Sequence, residues 1–342
     1  MQQSRSPIMV RRPIVLVTGA TGVIGPGVVR ALCDSGCRVR TLSIDTTGSA
    51  LFPDGVQVLT GDVTDLSVVK AAMENVEAVI HLAALLHIAN PSPALAEKYE
   101  KINVGGTATV VEAAVQAGVE RVVFFSTIAV YGDSHQRILD EDSSPLPRTY
   151  YAQTKLAAER IVLNAKHSDG QPFGTVLRFG AIYGPRIKGN YLRLLHSMSH
   201  GRFIPIGNGN NRRTLIYDKD VASAALLAAK HQAAAGKIFN VSDGHFHTLN
   251  EIIAAMCKAL GRKPPRLSLP VGPVRLAAGI LEDMGHKIGY QLPIGRATID
   301  KYTEDIAVSS ERIQTELGFK PQYDLLTGWQ ETIQEMRRMG EL

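Results

Sequence analysis

The chain has 342 residues, 45% of them hydrophobic and 20% charged, a globular composition long enough for one large domain or two ordinary ones. Its 37 basic and 32 acidic residues leave a net charge of +5 spread along the chain, which suits an anionic small ligand; with neither a basic stripe nor an interleaved aromatic run it argues against a nucleic-acid partner. No apolar run approaches the ~20 residues that span a bilayer, and the apolar residues after Arg11 and Arg12 enter a glycine turn rather than a signal-peptide core, so no membrane partner and a cytoplasmic location are expected.

In chain order, residues 14 to 183 alternate short apolar runs with helical stretches: "IVLV", "GVVRALCDSG", "RVRTLSI", "VQVLTGDV", "VVKAAMEN", "AVIHLAA", "TATVVEAAVQAG", "RVVFFST", "KLAAERIVLNAKH" and "TVLRFGAIYG". The strand-like runs are nearly continuous rather than alternating, the pattern of strands covered on both faces by helices. That is an α/β fold built on a doubly wound parallel sheet, in which ligands lie beyond the carboxyl ends of the strands. Beyond residue 185 the order loosens into helix-rich sequence with isolated strands such as "RTLIY" and "KIFNVSD", interrupted by the joint "GRKPPRLSLPVGP". The expected organisation is a nucleotide-binding domain over 8–183 and a smaller, helix-rich substrate-binding lobe over 184–342.

Directly after the first strand stands "TGATGVIG", with Gly19, Gly22 and Gly25 spaced G-x-x-G-x-x-G ahead of helical sequence. Missing side chains let the backbone approach a pyrophosphate at a helix N-terminus, where unpaired N–H groups and the helix dipole favour negative charge. Pro26 in the first turn removes no intrahelical hydrogen bond. Asp45 follows Gly25 at the interval where a carboxylate meets an adenosine ribose and repels a phosphate there, or else it caps a loop. With no arginine following at that strand end, the cofactor expected is NAD, NADP remaining open.

Farther on, "TYYAQTKLAAE" offers two tyrosines and a lysine. At 3.6 residues per turn Tyr151 and Lys155 share a helix face and Tyr150 does not. A neighbouring ammonium favours the phenolate, as a proton shuttle near neutral pH requires. The spacing alone equally describes a half-buried Tyr beside a solvated Lys. Three cysteines, Cys33, Cys37 and Cys257, have no second pair at zinc-ligand spacing and read as small core residues in a reducing compartment. His245 and His247 lack a third ligand and read as loop residues, so no metal site is assigned.

Taken with "GDV" at 61–63, "HLAA" at 81–84, "NVGGT" at 103–107, "FSTIAVYG" at 125–132, "LRFGAIYGP" at 177–185 and "GNGNNRRTLIYDKDVA" at 207–222, the glycine turn and the Tyr-Lys pair resemble an extended short-chain dehydrogenase/reductase of the epimerase/dehydratase branch that acts on nucleotide-sugars. The resemblance spans nearly the whole chain and implies a Rossmann-type fold. It also implies cofactor contacts from Gly19, Gly22, Val23, Ile24, Gly25, Asp45, Asp62, Val63, Leu82, Ala83, Ala84 and Asn103, besides Tyr151 and Lys155. It implies Thr127, Tyr151 and Lys155 as the catalytic set, with Ser126 as an understudy of Thr127 at the substrate. Asn190 and Arg213 would meet the nucleotide and its phosphates. Relatives commonly pair through two helices per subunit, here those around 98–118 and 151–167, so a homodimer is implied.

Departures narrow the reading. Family 4,6-dehydratases usually carry an Asp-Glu pair after the catalytic threonine, whereas this chain has Ile128-Ala129; Ala181 stands where many sugar epimerases have Asn. The reading reached is a nucleotide-sugar epimerase acting at the sugar 4-position. A 4-keto-sugar reductase, a hydroxysteroid- or dihydroflavonol-type dehydrogenase, and a cofactor-sensing scaffold are the alternatives.

Overall fold

A computed structural model describes residues 12–86, 93–186, 188–287 and 295–342. In chain order the elements begin β1 (Ile14–Thr18), α1 (Gly25–Asp34), β2 (Arg38–Ser43), β3 (Gln57–Thr60), α2 (Leu66–Ala72), β4 (Ala78–His81), α3 (Pro93–Tyr99), α4 (Gly106–Ala117) and β5 (Arg121–Thr127). They continue through α5 (Tyr150–Asn164), β6 (Gly174–Phe179), β7 (Ala181–Tyr183), α6 (Asn190–Ser199), β8 (Arg212–Arg213), β9 (Leu215–Tyr217), α7 (Asp218–Lys230) and β10 (Ile238–Val241). Last come β11 (His247–Thr248), α8 (Leu249–Leu260), α9 (Val271–Lys287), α10 (Arg296–Thr303), α11 (Glu311–Leu317) and α12 (Leu325–Arg338).

Seven strands form the central sheet in the order β10-β6-β5-β4-β1-β2-β3, and β1 pairs in parallel with both β2 and β4. The order reverses beside β1, so the carboxyl ends of β1 and β4 flank the point where a doubly wound sheet takes its ligand. The α/β doubly wound class expected from the continuous apolar runs is the class observed. One run behaves differently: "TVLRFGAIYG" is split at Gly180, β6 staying in the large sheet while β7 leaves to pair with β9 in a separate two-stranded one. An unbroken apolar run carries no sign of a change of partner strand.

The described chain falls into two compact units. One comprises the described parts of Met1–Phe125 with Ala157–Val176 and Ala225–Lys237; the other comprises Ser126–Leu156, Leu177–Ala224 and the described parts of Ile238–Leu342. In the first, Leu16 and Val17 of β1, Val29 and Leu32 of α1, Val79 and Ile80 of β4 and Val110 of α4 are at most 1% exposed. In the second, Trp329 of α12 stacks on Tyr183 at 4.6 Å between ring centroids, with Tyr217, Ile252, Met256, Ile333 and Met336 in the same cluster. Helix starts follow local chemistry. Asp65 accepts from the N–H groups of Ser67 and Val68 at the start of α2, and capping boxes open α8 (Thr248 with Glu251) and α12 (Asp324 with Thr327).

Candidate active site

In the first unit, β1 ends at Thr18 and the chain turns through Gly19 at φ +69°, where a side chain would be strained. The Gly19 N–H donates to the Leu42 carbonyl of β2 (2.8 Å), and the Leu82 N–H donates to the Thr18 carbonyl (3.1 Å), so the turn is pinned from both neighbouring strands. A Cβ on Gly19 would lie 2.6 Å from Ala83 Cα, and one on Gly25 would lie 1.9 Å from the Ala20 carbonyl oxygen. The glycine turn and the 82–84 segment are therefore in direct backbone contact. Helix α1 starts without a side-chain cap and with Pro26 in its first turn, so its leading N–H groups have no side-chain acceptor; a cradle closed to side chains and rich in unpaired donors fits a pyrophosphate. Gly22 is exposed, with Val23 and Ile24 half-buried beside it.

At the end of β2, Ser43 is buried and its hydroxyl accepts from the Thr21 N–H (3.3 Å), while the exposed Asp45 accepts from the Thr47 N–H (2.9 Å). Hydrogen bonds from the backbone and side chain of Thr47, then from the Thr21 hydroxyl, hold the Asp45 carboxyl below its ordinary range. Asp45 thus caps a loop and also adjoins the glycine turn. After β3, Asp62 is exposed and accepts from the Thr64 N–H (2.9 Å), whereas Val63 is 7% exposed and packs toward Gly106.

Asn103, 1% exposed, sits in a π-helical turn over Glu100–Gly105, a local irregularity that often accompanies functional positions. Its amide clamps the backbone of Leu85 at both ends, Oδ1 accepting from the N–H (2.7 Å) and Nδ2 donating to the carbonyl (3.2 Å). The clamp lies one residue beyond Ala84. Behind it runs a chain that the sequence did not reveal. The Thr107 hydroxyl gives its proton to the Asn103 carbonyl (2.6 Å), so it accepts from His81 Nε2 (3.0 Å), and His81 Nδ1 is hydrogen-bonded to the Thr18 hydroxyl (2.6 Å). His81 is fully buried.

The second unit holds the proposed reacting residues. Thr127 closes β5 at a half-buried position, and its oxygen accepts from the Ala129 N–H (3.2 Å), which leaves the hydroxyl proton available for an incoming oxygen. Ser126, 6% exposed, precedes it and by strand alternation points to the opposite face. The turn after Thr127 is fixed by Ile128, Val130 and Tyr131, which pack with Leu139 and Val308. Beneath it Tyr131 donates to Asn240 Oδ1 (2.9 Å) and accepts from Arg178 Nη1 (2.7 Å). Burial, opposed by Arg178, pushes this phenol up to about 12, so Tyr131 stays protonated as a strut. At the start of α5, Tyr150 is 50% exposed, Tyr151 is half-buried, and Lys155 one turn on is 3% exposed. A lysine this covered is rare and requires polar partners, which replaces the solvated-lysine alternative.

Asn190 is the exposed first residue of α6, after Gly189 at φ +77°. Arg213 is held by α10: its Nη2 donates to the carbonyls of Lys301 (2.6 Å) and Tyr302 (3.1 Å) and its Nη1 to that of Glu304. Two of its five N–H groups remain for another acceptor. Its neighbour Arg212 is instead committed to Asp305 (2.7 Å). His247 is likewise paired, its Nε2 lying 2.7 Å from Asp243. Asp218, at the start of α7, was not anticipated. Its carboxyl packs against Gly184, Oδ1 is buried without a hydrogen-bond partner among the described residues, and burial pushes it up to about 6.

The parallel sheet, its glycine turn and the Tyr-Lys helix define an extended short-chain dehydrogenase/reductase. The chain belongs to the NAD dependent epimerase/dehydratase family, whose model matches residues 15–242. Among curated relatives, the uncharacterized protein y4nL of Sinorhizobium fredii is 31% identical over 99% of both chains. The N-acetyl-alpha-D-glucosaminyl-diphospho-ditrans,octacis-undecaprenol 4-epimerase of Escherichia coli O157:H7 is 27% identical over 94% of both. Among solved structures, MoeE5 in complex with UDP-glucuronic acid and NAD is 29% identical, covers 95% of this chain and 99% of its own, and superposes with a TM-score of 0.74. The protein is thus an enzyme class member with NAD as the family's cofactor.

Proposed function

We propose that the protein is an NAD-dependent nucleotide-sugar epimerase that oxidises one sugar hydroxyl, at the 4-position, to a ketone and reduces the same carbon from the opposite face. The observation that carries this reading is the nearly complete burial of Lys155 one turn after Tyr151. A buried ammonium lowers the cost of a phenolate beside it, which is what a base acting near neutral pH needs. Support for a nucleotide-linked sugar comes from MoeE5, which has been solved with UDP-glucuronic acid and with UDP-glucose, each with NAD; support for the 4-position comes from the Escherichia coli enzyme, which is named as a 4-epimerase of a sugar joined through a diphosphate to undecaprenol.

In this reading bound NAD would supply the hydride acceptor, and then the hydride donor, for the sugar carbon. Gly19, Gly22, Val23, Ile24 and Gly25 would hold its pyrophosphate at the α1 N-terminus. Asp45, Asp62 and Val63 border the adenosine, and Leu82, Ala83 and Ala84, kept in place by Asn103, run along the rest. Tyr151 removes the hydroxyl proton as the ketone forms and gives it back on reduction, while Thr127 donates its free proton to the same oxygen. Lys155 keeps the phenolate charged and meets the nicotinamide ribose. Most of the rate comes from this positioning. Arg213 offers its remaining donors to a diphosphate oxygen, and Asn190 meets the nucleotide. Elimination of water is disfavoured because Ile128, 6% exposed in an apolar cluster, occupies the place of an acid.

The test is a chromatographic assay across UDP-, GDP- and dTDP-hexoses and their N-acetyl forms, with and without added NAD. Interconversion of a 4-epimer pair without net NADH is expected. Stoichiometric consumption of NADH or NADPH assigns the protein to the reductase or dehydrogenase alternative, and NAD binding without turnover on any sugar, steroid or keto-sugar assigns it to the scaffold.

A further inference from the structure

Helix α9 is amphipathic in the wrong direction. A surface helix ordinarily buries its large apolar residues and exposes its small ones. Here Ala278 is buried, and Gly279 and Gly285 lie on the covered side, the former directly against the Arg296 side chain. Leu276 is 67%, Ile280 52%, Leu281 54% and Met284 59% exposed. At about 100° per residue these four fall, with Ala277, in one arc of roughly 140°. The opposite arc meets α10, with Gly279 against Arg296 and Arg275 paired with Asp300 (2.6 Å), while Asp283, at the edge of the exposed arc, pairs with Arg296 (2.7 Å). The exposed arc continues onto the preceding segment, where Leu267 is 81% and Leu269 44% exposed. Leu269 is joined by backbone hydrogen bonds to Pro205 and Gly207 (both 2.8 Å), next to Ile204, itself 54% exposed.

The segment leading into α9 is cationic. From Lys258 to Arg266 the chain has four cations, Lys258, Arg262, Lys263 and Arg266, and no acidic residue. Arg262, Lys263 and Arg266 are exposed and have no acidic partner among the described residues. A cavity of about 270 Å³ opens beside them, its apolar walls formed by Met198, Phe203, Cys257 and Pro265 and its cationic side by Arg262 and Lys263. Exposed leucines, unpaired cations and an apolar recess with a cationic edge together match one partner chemistry: acyl chains beneath phosphate headgroups. A symmetric pair of copies would instead set these cations against each other, which costs energy.

We propose that the α9 face, with the 262–269 segment and Ile204, docks the protein peripherally on a bilayer surface rich in anionic phospholipid. The expectation of no membrane partner came from the absence of a spanning-length apolar run, which bears on crossing a bilayer and not on lying against one.

The test is cosedimentation of the full-length protein with phosphatidylcholine vesicles with and without phosphatidylglycerol. Binding to the anionic vesicles only, reversed by salt and weakened more than about tenfold both by Ile280→Glu with Met284→Glu and by Arg262→Glu with Lys263→Glu and Arg266→Glu, is the expected result. All five side chains are exposed, and NAD binding by each variant checks that it is folded. Failure of the folded wild type to bind anionic vesicles overturns the proposal, as does equal binding to neutral ones or binding that survives both variants. A dimer in ultracentrifugation that Ile280→Glu with Met284→Glu dissociates, without vesicle binding, assigns the face to self-association instead. Retention on poly-glutamate but not on vesicles assigns it to an acidic polypeptide. Glycerol 1-phosphate that displaces the protein as well as vesicles do reduces the surface to a free-phosphate site.

Discussion

Tyr151 and Tyr150 are adjacent and chemically identical, and only their angular positions on α5 separate them. Tyr151→Phe keeps every ring contact and removes the proton-carrying oxygen, so we expect turnover to fall by about 10²–10⁴-fold with NAD affinity unchanged by calorimetry. Near-normal turnover in that variant rejects the phenol as the base. Asp218 supports a different prediction. Its carboxyl is raised from 3.8 to about 6 by burial, so above pH 6 the folded state holds a charge that the unfolded chain solvates better. Asp218→Asn is therefore expected to stabilise the protein by about 1–3 kcal/mol at pH 7–8, with the gain shrinking as pH falls through 6 toward 4. Thermal melts of the two proteins across that range check it, and a gain independent of pH contradicts it. These two residues also mark what a sequence shows at this scale. The Tyr-Lys face was legible because four residues make one helical turn. Asp218 was not, because its burial is made by Gly184, distant in sequence, and Lys155 read as surface or site until its cover was known.

At the scale of elements, α12 depends on one missing side chain. A Cβ at Gly328 would lie 2.2 Å from Tyr183 Oη, and Tyr183 is 1% exposed and stacked on Trp329, so neither partner has room to move. Gly328→Ala is expected to cost about 1–3 kcal/mol, read as a lower denaturant midpoint, and an unchanged midpoint shows that the helix shifts freely. The strands and helices around the glycine turn were legible because the strands are short continuous apolar runs and the helices repeat at about 3.6 residues. The split of one apolar run into β6 and β7 was not, since the pattern is the same whichever strand lies alongside. The outward leucines of α9 were equally hidden, for composition records that a helix is apolar and not which side its neighbours cover.

For the molecule as a whole, Asp305 contributes to acid stability. Burial acts to raise this carboxyl, but hydrogen bonds from the Arg212 side chain and backbone and from Ser134 outweigh it and hold it at about 2. The carboxyl accepts from the Arg212 N–H at 2.6 Å and from Ser134 Oγ at 2.7 Å, linking three segments far apart in sequence. A folded-state value below the unfolded 3.8 means that the stabilisation is fully present above pH 4 and is lost as pH falls toward 2. Unfolding monitored from pH 6 to 2 is expected to show Asp305→Asn less stable than wild type by roughly 2 kcal/mol at the upper end and equal to it at the lower. A constant difference excludes this linkage.

The amino-acid sequence by itself determined the parallel α/β architecture, the glycine turn after β1 and the placing of Tyr151 and Lys155 one turn apart on α5. Each follows from residues near one another along the chain, where backbone geometry sets both spacing and facing. Only the tertiary structure decided that Lys155 is covered, that Arg213 is held by the carbonyls of α10, that His81 links Thr18 to Asn103, and that the large side chains of α9 face outward. Burial and hydrogen-bond partnership are properties of segments brought together by folding, and local periodicity holds no record of which segments meet.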